Sequence, residues 1–244
     1  MKLLIINPNT SDEMTSNIDS IAKKYARKET EIVTVHSRKG PVSIESQFEE
    51  AIIAEPLFER IIEGNQNDYD AIIIACYGDP HLYAAREISD IPVLGVAECS
   101  MHIASLLGYK FSIVTIIEST RPMLEELIKK NGLESRCASI KTTAFSPTDF
   151  EKQSDDVLKV LTEAAKDAVE NDGAEVICLG CAGMAGIDKP MSEKLGVPVL
   201  DGVACAVKMA ETLVDYGVTH SKVKAFSRPR KKEFKGFNNL FNNI

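Results

Sequence analysis

Of the side chains able to do chemistry, the six cysteines stand out, and two of them, Cys76 and Cys181, occupy matching surroundings 105 residues apart. Cys76 closes the apolar run Ile72-Ile73-Ile74-Ala75, and the proline of Ile91-Pro92-Val93-Leu94 follows 16 residues later. Cys181 comes after Val176-Ile177-Cys178-Leu179-Gly180, and the proline of Val197-Pro198-Val199-Leu200 follows 17 residues later. Taken singly, either cysteine is as well explained as a small buried residue at a strand end. The paired occurrence favours chemistry, because packing gives no reason for a thiol at the same place in two halves of a chain. A thiolate accepts a proton and a thiol supplies one. If two such groups met a ligand from opposite sides, one would strip a carbon of its proton while the other reprotonated the far face. The expected chemistry is inversion of a small carbon acid, with Cys76 and Cys181 as the catalytic pair.

An unperturbed cysteine is only a few per cent thiolate at neutral pH, so its neighbours matter. After Cys76 comes Tyr77-Gly78-Asp79-Pro80, in which Asp79 as N-cap and Pro80 as first helical residue predict a helix start. Its positive end would favour the thiolate. The run Gly180-Cys181-Ala182-Gly183-Met184-Ala185-Gly186 is rich in small residues that let backbone approach a ligand. Amides after each cysteine, at Tyr77, Gly78, Ala182 and Gly183, are candidates to hold a carbonyl oxygen as it becomes enolate-like. Asn9 and Thr10, in Asn7-Pro8-Asn9-Thr10, offer further donors, although a turn and helix cap explain them equally well. Thr115 is the comparable residue of the second half, and Ser43 and Ile44 lie in a turn-rich segment from Gly40 to Ser46 that could cover a site.

The elements that must position these residues alternate between short β-rich runs and amphipathic stretches, the pattern of an α/β fold with parallel sheets. Strands are expected at Lys2–Asn7, Glu31–Val35, Asp70–Ala75, Phe111–Thr115, Ser135–Ile140, Glu175–Leu179 and Pro198–Leu200. A first helix should open at Thr10 or Ser11, and another should run through Gln47–Glu63 with a kink at Pro56. The likeness of Ala71–Glu98 to Glu175–Ala204 implies two similar Rossmann-like lobes related by an approximate two-fold axis. The first is expected to hold residues 1–98 and 207–244, the second residues 99–206. Ligands of open α/β sheets collect beyond the carboxyl ends of the strands, which is where each cysteine falls. The site is thus expected in the cleft between the lobes.

Composition narrows the alternatives. The chain of 244 residues is 44% hydrophobic with a formal charge of -8, which suits a globular protein and disfavours nucleic acid as a partner. The apolar start Met1–Ile6 meets Asn7-Pro8 too soon for a signal-peptide core or a membrane span, so a cytoplasmic protein without membrane contact is expected. His36, His81, His102 and His220 lack ligand spacing, and Cys178 with Cys181 has no second pair, so no metal is expected. Cys178 reads as a core thiol. Neither a Gly-x-Gly-x-x-Gly nor a Walker pattern follows any strand. From Ser221 to Ile244 there are seven basic residues and one acid, and such a basic end on an acidic body points to a contact with its own or a neighbouring subunit, hence to a homo-oligomer.

Four blocks, together with the length they span, carry a resemblance. They are Ile6-Asn7-Pro8-Asn9-Thr10-Ser11; Gly40-Pro41 with Ser43-Ile44-Glu45; Cys76-Tyr77-Gly78-Asp79-Pro80 with Ala84-Ala85-Arg86-Glu87; and Leu179-Gly180-Cys181-Ala182-Gly183-Met184. The chain resembles the hydantoin racemases of the aspartate/glutamate racemase superfamily. The resemblance implies a cofactor-independent isomerase of two α/β lobes with one catalytic cysteine from each, acting on 5-substituted hydantoins or allantoin. Relatives that act on free amino acids carry Asn-Thr or Thr-His after their cysteines. Tyr77-Gly78 and Ala182-Gly183 stand there instead, which implies a neutral cyclic ureide as the small-molecule partner. Competing readings are amino-acid racemisation, decarboxylation or cis–trans isomerisation on the same scaffold, a small-molecule sensor, and thiol redox chemistry at Cys178 and Cys181.

Overall fold

Continuous apolar runs such as Ile72-Ile73-Ile74 mark strands covered on both faces, and they pair in parallel as such strands must when helices connect them. The computed structural model describes residues 1–143, 155–181, 184, 186–237 and 241, and among these form two four-stranded parallel sheets. The first contains β1 (Lys2–Asn7), β2 (Glu31–His36), β3 (Ala71–Ile74) and β4 (Val93–Gly95) in the order β2-β1-β3-β4. The second contains β5 (Phe111–Thr115), β6 (Cys137–Thr142), β7 (Val176–Leu179) and β8 (Val199–Leu200) in the order β6-β5-β7-β8. The two orders are the same, as the internal repeat implies. Ile6 pairs with Ile74 in the first sheet and Val114 with Leu179 in the second, so the central strands of each sheet end nearly level.

The helices are α1 (Asp12–Tyr25), α2 (Gln47–Ile52), α3 (Ala54–Gln66), α4 (Leu82–Ile88), α5 (Val96–Leu107), α6 (Arg121–Lys130), α7 (Asp155–Asp172), α8 (Asp188–Leu195) and α9 (Gly202–Tyr216). Ser11 opens α1 as expected, its hydroxyl accepting the Met14 N–H at 3.1 Å, with Asp12 and Glu13 at the positive end. The stretch expected as one helix kinked at Pro56 is instead two, separated at Ile53. Pro56 is the third residue of α3, where its missing N–H would have had no intrahelical partner, so it starts a helix rather than bending one. The expected strand at Ser135–Ile140 lies two residues further on, and β4, in the Pro-Val-Leu of the first half that matches the anticipated β8, was not among the expected strands.

A single large buried cluster joins the sheets. Leu3, Ile5 and Ile73 of the first and Phe111, Ile113 and Cys178 of the second meet through Met101 of α5 and Val203 and Val207 of α9. Separate clusters cover the outer faces. The C-terminal helix α9 packs on α1, α5 and β3. Beyond it the chain follows the first sheet's margin, where His220 Nε2 accepts the Val93 N–H at 2.6 Å, Lys222 donates to the Arg86 carbonyl and Arg228 pairs with Asp90. No helix among the described residues is long and apolar enough to cross a membrane.

Candidate active site

Cys76 lies two residues past the end of β3 and Cys181 two residues past the end of β7, so each leaves the third strand of its sheet at the same step. Both line one cavity, which holds about 760 Å³ of empty space counted to its open mouth. Cys99, Cys178 and Cys205 are buried, whereas Cys76 and Cys181 are partly open. The bend carrying Cys181 depends on Gly180. A Cβ there would lie 2.8 Å from Ile113 Cγ2 and 2.9 Å from Thr115 Cβ. Thr115 tightens the same bend by donating its hydroxyl to the Gly180 carbonyl at 3.0 Å.

The other sequence-expected residues divide by where they point. Asn9, Ser43, Ile44, Tyr77, Gly78 and Thr115 line the cavity. Asn9 is buried, and its side-chain oxygen accepts from the Ser11 N–H at 3.0 Å and from Asn7 Nδ2 at 2.6 Å. This fixes the amide orientation and leaves its NH2 with the weak acceptor Met14 Sδ at 3.1 Å. A ligand oxygen is a better partner. Ser43 turns its hydroxyl to Glu45. Tyr77 lines the cavity but sends its hydroxyl into the core, 3.0 Å from Ser100 Oγ. Thr10 stands aside from the lining, with its hydroxyl on the Pro41 carbonyl at 3.1 Å. Ala182 and Gly183 lie outside the described residues.

Two local expectations are corrected. The helix after Cys76 begins at Leu82 rather than Pro80, because Asp79 and His81 both adopt left-handed backbone conformations. Asp79 instead caps another helix, α5, its carboxylate accepting the N–H groups of Ala97 at 3.0 Å and Glu98 at 2.7 Å. Nor is Cys76 poised as a thiolate. Burial above all, with negative charge on Cys181, Glu50 or Asp79 adding to it and a hydrogen bond from the Gly78 N–H opposing it, pushes its thiol up to about 12. A group at that value is ionised in roughly one molecule in 100,000 at pH 7.

With this geometry established, similarity to known proteins becomes informative. The Asp/Glu/hydantoin racemase family model matches residues 3–210. The chain belongs to that family. It is 45% identical to the hydantoin racemase of Pseudomonas sp. (strain NS671) over 236 residues, 97% of this chain and 95% of that one. Its fold matches the allantoin racemase of Klebsiella pneumoniae with a TM-score of 0.93 and 39% identity, covering 97% of this chain and 96% of the other. The allantoin racemase of Pseudomonas fluorescens gives the same TM-score at 35% identity, covering 97% of this chain and all of that one. The chain is an isomerase of the racemase type, and its doubled α/β architecture is the racemase fold.

Sequence reading of this racemase missed part of its wall. Met14, Glu50, Met123 and Leu124 also line the cavity. Met14 and Leu124 follow ordinary helical spacing and carry no signal apart from core packing. Glu50 is one of two adjacent acids in a surface-like helix, and only the placement of α2 over Gly78 separates it from its neighbour Glu49.

Proposed function

We propose that the protein racemises 5-substituted hydantoins or allantoin by a two-base reaction, using no cofactor. One observation carries the reading: Cys76 and Cys181 line a single cavity from equivalent positions of two equivalent sheets. The thiolate of one cysteine takes the proton from the stereocentre, and the C–H electron pair moves into the adjacent ring carbonyl. The thiol of the other returns a proton to the opposite face, the electron pair moves back to carbon, and the two cysteines have exchanged protonation states. Because the substrate's own carbonyl stores the electron pair, the step asks for no further electron sink. The Asn9 amide, with its NH2 free for a better acceptor than sulfur, suits a carbonyl oxygen gaining charge. Cys76 enters as the thiol, since burial holds its proton. The names of the similar proteins, hydantoin racemase and allantoin racemase, support the substrate class.

The test is incubation of single enantiomers of several 5-substituted hydantoins and of allantoin in D2O, with enzyme-free controls, following optical rotation and the stereocentre's proton signal. Inversion with deuterium uptake that is lost in Cys76→Ser and in Cys181→Ser is the expected result. Inversion surviving loss of both cysteines overturns the mechanism, and inert hydantoins and allantoin overturn the substrate assignment.

A further inference from the structure

The cavity contains a charged side chain that the two-cysteine scheme leaves unused. Glu50 on α2 lines it half-buried, and among the described residues its carboxylate oxygens accept no hydrogen bond. The placement is firm. The Glu50 carbonyl faces His81 Nε2 at 2.8 Å, and the His81 ring is held edge-on to Phe58. The carboxylate stands beside Gly78, two residues on from Cys76, with Oε1 at 3.9 Å from where a Cβ on Gly78 would sit, and Met123 Cε is equally close to that point. Burial pushes the Glu50 carboxyl upward, His81 and Lys130 draw it back, and Glu126 opposes them. Ile44, Ile117, Met123 and Leu124 supply apolar wall to the same cavity, whose polar lining includes Asn9, Ser43, Thr115 and Thr120.

A half-buried carboxylate that accepts no hydrogen bond does two things to a visitor. It attracts N–H groups, which replace the water it loses, and it repels a second negative charge in a region of low dielectric. We propose that Glu50 is a specificity-determining residue, accepting hydrogen bonds from ring or side-chain N–H groups of the substrate and turning away molecules that carry a carboxylate. The inference rests on the cyclic-ureide reading above. Such rings are neutral and rich in N–H donors, whereas the ring-opened N-carbamoyl acids are anions with no basic nitrogen to offset the carboxylate. One side chain would thus separate the closed ring from its hydrolysed form.

The experiment compares the wild-type protein, Glu50→Gln and Glu50→Leu on one 5-substituted hydantoin, on its N1-methyl and N3-methyl derivatives, and with the matching N-carbamoyl amino acid as inhibitor. Loss of a charge-assisted hydrogen bond predicts a fall of about 10- to 100-fold in kcat/KM on the parent ring for Glu50→Leu, and a smaller fall for Glu50→Gln. At least one N-methyl derivative should be poor for the wild type and indifferent to the substitutions, while the N-carbamoyl acid should bind several-fold tighter to both variants. Unchanged thermal unfolding separates these effects from misfolding, and the N-methyl comparison on the wild type does not depend on any variant. Equal loss on all three rings, or kcat/KM within twofold of wild type together with unchanged anion affinity, overturns the role of Glu50. If the wild type exchanges no proton on any hydantoin or allantoin, the substrate reading falls by itself. Calorimetric binding of the neutral ring and of the N-carbamoyl acid to wild type and variants then still decides whether Glu50 discriminates between them.

Discussion

Burial and reactivity pull Cys76 in opposite directions. The cavity removes water from the thiol and raises it to about 12, which makes Cys76 a reluctant base but a thiolate of high proton affinity once formed. General-base catalysis is most efficient when the pKa lies near the operating pH, so in the substrate-free protein Cys76 is better suited to giving a proton than to taking one. The consequence is measurable by iodoacetamide labelling of the substrate-free protein, with Cys76 followed by peptide mass spectrometry. Labelling of Cys76 should be far slower than that of free cysteine at pH 7.5 and should rise about tenfold per pH unit up to pH 10. Labelling at the rate of free cysteine at neutral pH would contradict the burial argument. The type and spacing of the two cysteines were legible in the sequence, but this protonation state was not, because desolvation depends on what the fold stacks over the sulfur.

At the scale of elements, Asp79 shows how one turn serves two helices. The turn after Cys76 bends away through Asp79 and His81, and the Asp79 carboxylate seats on the start of α5 directly over Gly95. Any larger residue at Gly95 would collide, since a Cβ there would be 2.2 Å from Asp79 Cγ. The Cys76 turn is thereby tied to the helix that runs between the sheets. Burial raises the Asp79 carboxyl to about 7 despite its two N–H donors. An unfolded aspartate has a value of about 3.9. Between about pH 4 and 7 the folded chain therefore keeps a proton that the unfolded chain has lost. This group's contribution is full below pH 4, declines as pH rises to 7 and is level above. In Asp79→Asn that slope is absent. Urea unfolding should find the stability of wild type relative to Asp79→Asn lower at pH 7.5 than at pH 4.5, by about 3 kcal/mol. A difference that is the same at both pH values would refute the raised carboxyl. The aspartate was readable as a helix cap, but the helix it caps lies across β4, and a local motif cannot say which of two nearby N-termini a side chain will reach.

For the molecule as a whole, the proposed two-base reaction requires two halves held at a fixed separation. The shared apolar cluster through α5 and α9 does most of this, and a polar link adds to it. Tyr25, at the end of α1, donates its hydroxyl to Asp188 Oδ2 at 2.7 Å, and Asp188 opens α8 just after the Cys181 bend. The other Asp188 oxygen is buried without a partner among the described residues, while Asp201 holds the Gly186 N–H at 3.1 Å. Burial and the Asp188 carboxylate keep the Tyr25 phenol protonated well above its usual range, so it remains a donor at any working pH. Tyr25→Phe strips a buried carboxylate of its hydroxyl donor and should cost about 1–3 kcal/mol in denaturant unfolding. It should also lower kcat/KM by loosening the bend that presents Cys181. A change in stability below about 0.5 kcal/mol would show that the link is slack.

The sequence by itself determined the class of fold, the doubling, and the pair of cysteines, because these are written in local pattern: apolar runs of strand length, a thiol after each, and a Pro-Val-Leu at the same remove. It also placed Asn9 and Thr115 at strand ends, which chain direction in a parallel sheet brings to one edge, and Ser43 in a turn-rich segment. Only the tertiary structure decided how each polar group is spent. The hydroxyls of Tyr77, Thr115 and Thr10 are turned to Ser100, Gly180 and Pro41, and Glu50, 26 residues before Cys76, is brought beside Gly78 by the folding of α2 across the cavity. The physical reason is one of range. Hydrophobic periodicity and turn chemistry act over a few residues, whereas the partner of a side chain and the water it loses are set by whichever distant segment packs against it.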